Sequence, residues 1–152
     1  MAKTAAPGET DLSQLLRSLN PVLSPQTFVW GSIPAKSASD YANILKLFVG
    51  IDVQLLFRES GSWTVVVPQD VAKEIQLEST FPCRMVTLDV HSSLEAVGFI
   101  AAISARLTKI GVGANTVAGF YHDHLFVAPE KAEEVVKELK KMAAEQGGHA
   151  DS

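Results

Sequence analysis

Residues 64–75, TVVVPQDVAKEI, recur as residues 125–136, LFVAPEKAEEVV, with Pro68 aligned to Pro129 at an offset of 61 residues. Each copy has an apolar strand pattern, then a proline, then an amphipathic helix pattern. A further strand and helix pattern precedes each copy, so the sequence predicts duplicated β-α-β-β-α units whose antiparallel sheets carry helices on one face. The predicted fold class is α+β, with two ferredoxin-like βαββαβ domains in tandem. The stretch 83–91 is the one strand pattern between the copies, which predicts that the domains share or exchange a strand.

The composition limits the class of protein. The chain has 152 residues, 47% of them hydrophobic, with 13 Lys and Arg against 17 Asp and Glu. Scattered basic residues give no patch for a nucleic-acid backbone, and the longest apolar runs fall far short of the ~20 residues that span a bilayer. The single cysteine, Cys83, has no partner for a disulfide and is compatible with a reducing compartment. We expect a soluble, cytoplasmic protein that binds neither nucleic acid nor membrane.

Both ends have small, polar compositions that are typical of untethered segments. MAKTAAPGET opens the chain, and EQGGHADS closes it with a pair of glycines. We therefore predict flexible tails at residues 1–11 and 145–152. The two domains are predicted at residues 12–80 and 81–144.

The corner VHSSLEAVGF, residues 90–99, is where a predicted strand ends at His91 and a helix follows. Ser92 and Glu95 have the spacing of a capping box, and a helix start offers unpaired N–H groups and partial positive charge to a carboxylate. Gly98 permits close approach of a ligand. The candidate ligand-binding residues are Ser92, Ser93, Glu95, Val97 and Gly98 in the corner, with Gly113, Ala114, Asn115 and Thr116 at the start of the next strand.

Other interpretations of the same residues remain open. Ser92 and Glu95 could simply cap the helix. Asp89, His91 and the two serines include the residue types of a hydrolase, although neighbours along one strand rarely converge on a substrate. His91, His122 and His124 could form a zinc site, but a hairpin turn with Asp123 at its tip is favoured. No catalytic residue, metal or cofactor is predicted.

The residues quoted above carry a resemblance to a known family. Residues 86–139, from VTLDVHSSLEAVGF to HDHLFVAPEKAEEVVKEL, resemble the second half of small tandem ACT-domain proteins, which are related to CASTOR-type amino-acid sensors. LLRSLNPVLSPQTFVWGSIP and FRESGSWTVVVP resemble the first half, so that the likeness covers residues 12–141. The resemblance implies a non-enzymatic regulatory protein that binds an amino acid or a similar small metabolite.

Self-association is a further expectation. Thr87, Val117 and Phe126 are predicted on the open face of the sheet, where a homodimer would cover apolar surface. A protein partner that responds to ligand occupancy is also expected, although the sequence does not identify it. A structural dimerisation module without a ligand is the remaining alternative.

Overall fold

The computed structural model describes residues 7–147. Within that range it contains five α-helices and six β-strands, which confirms the predicted α+β class. In chain order the elements are α1 (Leu12–Arg17), β1 (Pro21–Pro34), α2 (Ala38–Leu47), β2 (Leu55–Glu59), β3 (Ser62–Pro68), α3 (Gln69–Glu74), β4 (Ser79–Leu88), α4 (Phe99–Lys109), β5 (Asn115–Ala118), β6 (Asp123–Val127) and α5 (Ala132–Gly147).

The chain divides into two compact units. The central unit comprises residues Pro25–Arg84, and the terminal unit combines the residues up to Ser24 with those from Met85 onward. Both β1 and β4 pass from one unit into the other, so the two units use residues of the same two strands. The sequence predicts one shared or exchanged strand, at residues 83–91, and it does not predict that β1 also contributes residues to both units.

The central unit is a sheet with two helices. Its strand order is β2-β3-β1-β4, and β3 pairs antiparallel with both β1 and β2. Val66 lies opposite Trp30 on one side and opposite Leu55 on the other. Side chains of β3 alternate between its two faces, so Val65 and Val67 lie on one face and Val66 on the other, and all three valines are fully buried. One core cluster of this unit contains Val29, Val65, Val67 and Ala72.

The terminal unit has the strand order β1-β4-β6-β5 and a larger core. β5 and β6 are antiparallel, with Ala118 opposite Asp123. The apolar faces of α4 and α5 pack together with α1, which agrees with the amphipathic pattern predicted after Pro129. The most deeply buried residues of this core include Leu15, Leu88, Ile103, Leu125 and Leu139.

Some residues of the predicted flexible tails belong to ordered elements of the structure. α5 continues to Gly147, so residues 145–147 are helical. Glu9 forms an isolated parallel bridge with Ser92, so part of the expected N-terminal tail is bound by backbone hydrogen bonds. Residues 1–6 and 148–152 of the predicted tails lie outside the described residues. None of the helices between residues 7 and 147 has the length and apolar character that a bilayer crossing needs.

Candidate functional site

A cavity of about 220 Å³ lies in the terminal unit at the beginning of α4. Three segments of this unit form its wall. They are the loop before the helix, the first helical turn, and the end of β5 with the start of β6. The lining residues that matter for its chemistry are Ser92 and Ser93 from the loop, Gly98 from the helix start, Ala118 at the end of β5, Gly119 after it, and Asp123 at the start of β6.

The start of α4 lacks a side-chain cap. Gly98 is the N-cap residue, with φ +89° and ψ −8°, and it has no side chain to accept a hydrogen bond from the first turn. The first N–H groups of an α-helix have no partner within the helix, and the helix dipole adds partial positive charge there. Residues 98–101 line the cavity, so this wall can receive an anionic group.

The loop between β4 and α4 differs from the prediction. β4 ends at Leu88 instead of His91, because the N–H groups of Val90 and Ser92 turn back to the carbonyls of Leu88 and Val90, each at 2.8 Å. The predicted capping box of Ser92 and Glu95 is wrong, since the helix begins only at residue 99.

Both serines of this loop have other partners. The Ser93 hydroxyl oxygen accepts from the Glu95 N–H at 3.1 Å, which closes a local turn. The Ser92 hydroxyl donates to Asp123 Oδ2 at 3.2 Å. The serines therefore shape the cavity wall and do not cap the helix.

Asp123 supplies a carboxylate on the opposite wall. It begins β6 and is 8% exposed, one of two buried polar residues in the described part of the chain. Burial raises the pKa of this carboxyl, while the Ser92 hydrogen bond and the neighbouring His124 and His122 partly lower it. A buried carboxylate with so little solvation is stabilised by any cation that reaches it.

His91, His122 and His124 each contact a neighbouring side chain. His124 Nδ1 lies 3.0 Å from Thr87 Oγ1, and His122 Nε2 lies 3.4 Å from Asp89 Oδ1. Burial, with a contribution from His122, lowers the pKa of His124. The His91 ring packs against Tyr121, with 5.5 Å between ring centroids. Over residues 7–147, no cluster of three or more His, Cys, Asp or Glu residues is placed to hold a metal ion.

The hydrolase interpretation gains no support from these contacts. The Ser92 hydroxyl hydrogen-bonds to a carboxylate and not to an imidazole. A nucleophilic serine needs an adjacent base such as histidine to take its proton. The Ser92 contact therefore does not reproduce the serine–histidine pair of a hydrolase.

A second, more open cavity of about 430 Å³ lies in the central unit. The residues of its wall include Trp30, Ser32, Thr64, Glu78 and Thr80. No helix start contributes to this wall, and its residues do not pair opposite charges. The smaller cavity in the terminal unit therefore has the more specific chemistry.

Comparison with protein families accounts for nearly the whole described chain. Two family models, each described as "ACT domain", match residues 7–84 and residues 78–141. The chain belongs to the ACT domain family. It is a tandem ACT protein, as the repeat and the resemblance predicted.

Solved structures agree with this assignment. The tandem ACT chain is 35% identical to a Vibrio cholerae protein of unknown function, described as a possible transport protein, with a TM-score of 0.71 over 87% of this chain and 95% of that chain. The regulatory subunit of aspartate kinase from Thermus flavus has a TM-score of 0.63 at 12% identity, covering 81% and 96% of the two chains. E. coli aspartokinase III in complex with aspartate and ADP has a TM-score of 0.64 at 16% identity, covering 80% and 32%. The two aspartokinase likenesses show the fold alone. A search of curated proteins finds no significant match.

The structure brings together only part of the predicted ligand site. Ser92, Ser93 and Gly98 line the cavity, whereas Glu95 and the 83%-exposed Val97 do not. The second predicted group, residues 113–116, is also absent from the wall. Its members Asn115 and Thr116 occupy the first half of β5, whereas the cavity is lined by Ala118 and the following Gly119.

Asp123 is the main residue that the sequence prediction missed. The hairpin interpretation placed it at a turn tip, but it is the first residue of β6 and shares a strand face with Leu125 and Val127. Both of those residues are fully buried. The alternation of Asp123 with two apolar strand positions is the sequence signal that could have identified an inward-facing carboxylate.

Proposed function

We propose that this tandem ACT protein is a non-catalytic regulatory protein that binds a free amino acid in the cavity at the start of α4. One observation carries the proposal. The cavity has an uncapped helix start on one wall and the buried carboxylate of Asp123 on another. A zwitterion presents the complementary pair of charges.

The two charged groups of an amino acid fit different walls. Its carboxylate would accept hydrogen bonds from the N–H groups of residues 99–101, where the helix dipole favours negative charge. Its ammonium would donate to Asp123, which offsets the cost of keeping that carboxylate ionised away from water. An anion alone would be repelled by the carboxylate of Asp123. A cation alone would be repelled by the partial positive charge of the helix start.

Cavity size and lining favour a compact, apolar side chain. The volume of about 220 Å³ lies below the range of about 300–1,000 Å³ that is usual for drug-sized ligands. Ala96, Phe99, Ile100 and Ala118 supply much of the wall. A second acidic group on the ligand would lie close to Asp123 and would be repelled.

The other half of the duplication provides an internal comparison. At the offset of 61 residues, Gly98 corresponds to Ser37 and Asp123 corresponds to Ser62. Ser37 caps α2 in a capping box, in which its hydroxyl accepts from the Asp40 N–H and the Asp40 carboxylate accepts from the Ser37 N–H. That helix start is therefore occupied by its own side chains, and no carboxylate stands at the position equivalent to Asp123. The comparison favours the terminal unit as the ligand-binding unit.

The regulatory role rests on the family and on its structural neighbours. Aspartokinase regulatory subunits have this fold, and one aspartokinase neighbour was solved with aspartate and ADP. A role without catalysis agrees with the serine and histidine contacts described above. A cytoplasmic location and a protein partner that responds to occupancy belong to the same proposal.

Self-association is proposed on grounds that differ from the sequence prediction. Phe126 is 1% exposed and cannot form a dimer surface. Leu94, Val97, Phe120 and Tyr121 are each at least half exposed, and they lie in the segments that border the cavity. Light scattering should give the mass of a dimer, and a strict monomer at tens of micromolar protein, on the order of weak-dimer affinities, would contradict this part of the proposal.

A thermal-shift screen against the standard amino acids tests the binding function. A ligand at 100 times its Kd should add about 2.7 kcal/mol to the free energy of unfolding. For a chain of this size, each kcal/mol of added stability raises the melting temperature by roughly 2–4 °C.

Two chemical controls locate the interaction. The amide of the stabilising amino acid lacks the carboxylate, and its N-acetyl derivative lacks the ammonium, so neither should stabilise the protein. A screen without any shift would favour the ligand-free dimerisation module. Equal shifts with the amino acid and its N-acetyl derivative would contradict the role of Asp123.

A further inference from the structure

The segment before α1 runs along the loop that lines the cavity. The Glu9 N–H donates to the His91 carbonyl at 2.9 Å, and the Ser93 N–H donates to the Glu9 carbonyl at 2.9 Å. These bonds make a short parallel bridge between Glu9 and Ser92. We refer to residues 8–11 as the strap.

At Gly8 the backbone of the strap lies too close to the backbone of the loop to leave room for a side chain. A Cβ atom on Gly8 would lie 2.5 Å from the Ser93 nitrogen and 2.6 Å from the Ser92 carbonyl carbon. Both are backbone atoms, so no side-chain rotation can relieve such contacts. Any larger residue at position 8 must separate the strap from the loop.

The other end of the strap is anchored in the terminal core. The Glu9 carboxylate accepts from the N–H groups of Thr10 and Asp11 at 2.7 and 2.8 Å. Asp11 then caps α1 by accepting from the Gln14 N–H at 2.8 Å. Two buried leucines fix α1 in the core, Leu15 and Leu16.

The first residue of α1 also approaches the helix start of the cavity. Leu12 Cδ2 would lie 3.4 Å from a Cβ atom on Gly98, an ordinary contact distance. Together with the strap bonds, this proximity places the N-terminal segment beside Ser92, Ser93 and Gly98. All three residues line the cavity.

We propose that the strap positions the cavity loop, and that strap docking and amino-acid binding are coupled. The proposal rests on the proposed function, because it concerns the same cavity. A docked strap holds the loop in the shape that closes the cavity wall, so undocking lowers the fraction of binding-competent protein. Coupling between two sites is reciprocal, so amino-acid binding must tighten the strap by the same factor. The N-terminal segment can thereby report occupancy to a partner.

The test uses the full-length protein with a mixture of the standard amino acids as the probe. Gly8→Ala introduces the backbone clash, and Gly113→Ala is the matched control, because a Cβ there meets nothing within 4 Å. Backbone amide exchange followed by NMR should be at least about tenfold faster at Glu9 and Ser93 in Gly8→Ala, with core amides such as Leu139 unchanged. Half-saturation in the thermal-shift titration should need about tenfold more of the mixture. Gly113→Ala should match wild type in both measurements.

A second measurement needs no substitution. Saturating wild-type protein with the mixture should slow exchange at the Glu9 amide, which does not line the cavity. One set of results overturns the strap proposal and leaves the proposed function intact. In that case the wild-type protein binds the mixture, exchange at the Glu9 amide is unchanged, and Gly8→Ala binds as well as the wild type. A wild-type protein that does not respond to the mixture overturns the proposed function and, with it, the coupling. Exchange at Ser93 that is equal in Gly8→Ala and Gly113→Ala overturns the positioning role in either case.

Discussion

Asp123→Asn separates the binding role of the carboxylate from its structural role. The amide has the same shape, and its oxygen can still accept the hydrogen bond from the Ser92 hydroxyl. Only the charge is lost. The substitution therefore tests whether the terminal unit keeps a buried carboxylate for a ligand.

The free protein should not suffer from this change at neutral pH. Burial raises the folded-state pKa of Asp123 above its ordinary value of 3.8, so the folded protein binds the proton more tightly than the unfolded chain. The resulting stabilisation exists at low pH and is lost as the pH rises through the folded pKa. At pH 7 the ionised carboxylate is a cost to folding, and Asp123→Asn should equal or exceed wild type in free energy of unfolding.

Amino-acid affinity should respond in the opposite direction. Loss of one partner of a buried, hydrogen-bonded charge pair costs about 2–5 kcal/mol, and we take 2–3 because the cavity opens to solvent. That cost corresponds to roughly 30- to 150-fold in Kd. Wild-type affinity should also weaken on acidification as Asp123 takes a proton, whereas the variant should lack this component.

Urea denaturation and isothermal calorimetry at several pH values provide the measurements. Asp52→Asn removes one charge from an exposed position in the central unit and serves as the matched control. Wild-type affinity in Asp123→Asn would refute the reasoning. A large loss of stability in the free variant would also refute it, because the carboxylate would then be a structural requirement.

Three further predictions concern residues around the cavity and its supporting helices. Ala101→Asp places a carboxylate at the position that corresponds to Asp40 in the α2 capping box. Amino acids should then no longer stabilise the protein in the thermal-shift assay, while the circular dichroism spectrum remains that of the wild type. Arg106→Lys should lower the free energy of unfolding by about 1 kcal/mol in urea, because the fork that joins Glu138 at 2.6 Å and Glu145 at 2.8 and 2.9 Å is replaced by a single ammonium. His124→Gln should flatten the decline in stability on acidification through about pH 6.5, since the lowered pKa of His124 makes the unfolded chain take the proton first; an unchanged pH profile would assign that decline to other groups.

Repetition and periodicity made the fold predictable. The aligned prolines identified two strand-to-helix junctions, and Pro129 does open a short 3-10 turn at its first position before α5. The apolar stripes of α4 and α5 needed no tertiary information, because burial of one helical face follows from spacing alone. These features depend on local sequence, which is why they could be inferred without the structure.

The cavity was only partly predictable because its shape depends on long-range contacts. The sequence favours an early helix start at Ser92, yet the Ser92 hydroxyl is held by Asp123, 31 residues further along the chain. The helix start instead depends on the left-handed conformation of Gly98, which no spacing rule fixes. The binding of Glu9 to this loop was equally hidden, because main-chain hydrogen bonds leave no trace in side-chain composition.

Features that cost stability coincide at this one place in the terminal unit. A carboxylate is buried with a raised pKa, and a long helix begins without a side-chain cap. The equivalent positions of the duplicate carry Ser62 and a complete capping box around Ser37, so the same architecture folds without either cost. Local violations that the fold does not require are expected where function imposes them. The opposite charges of the two features are the reason for proposing a zwitterion, and not a simple anion, as the ligand.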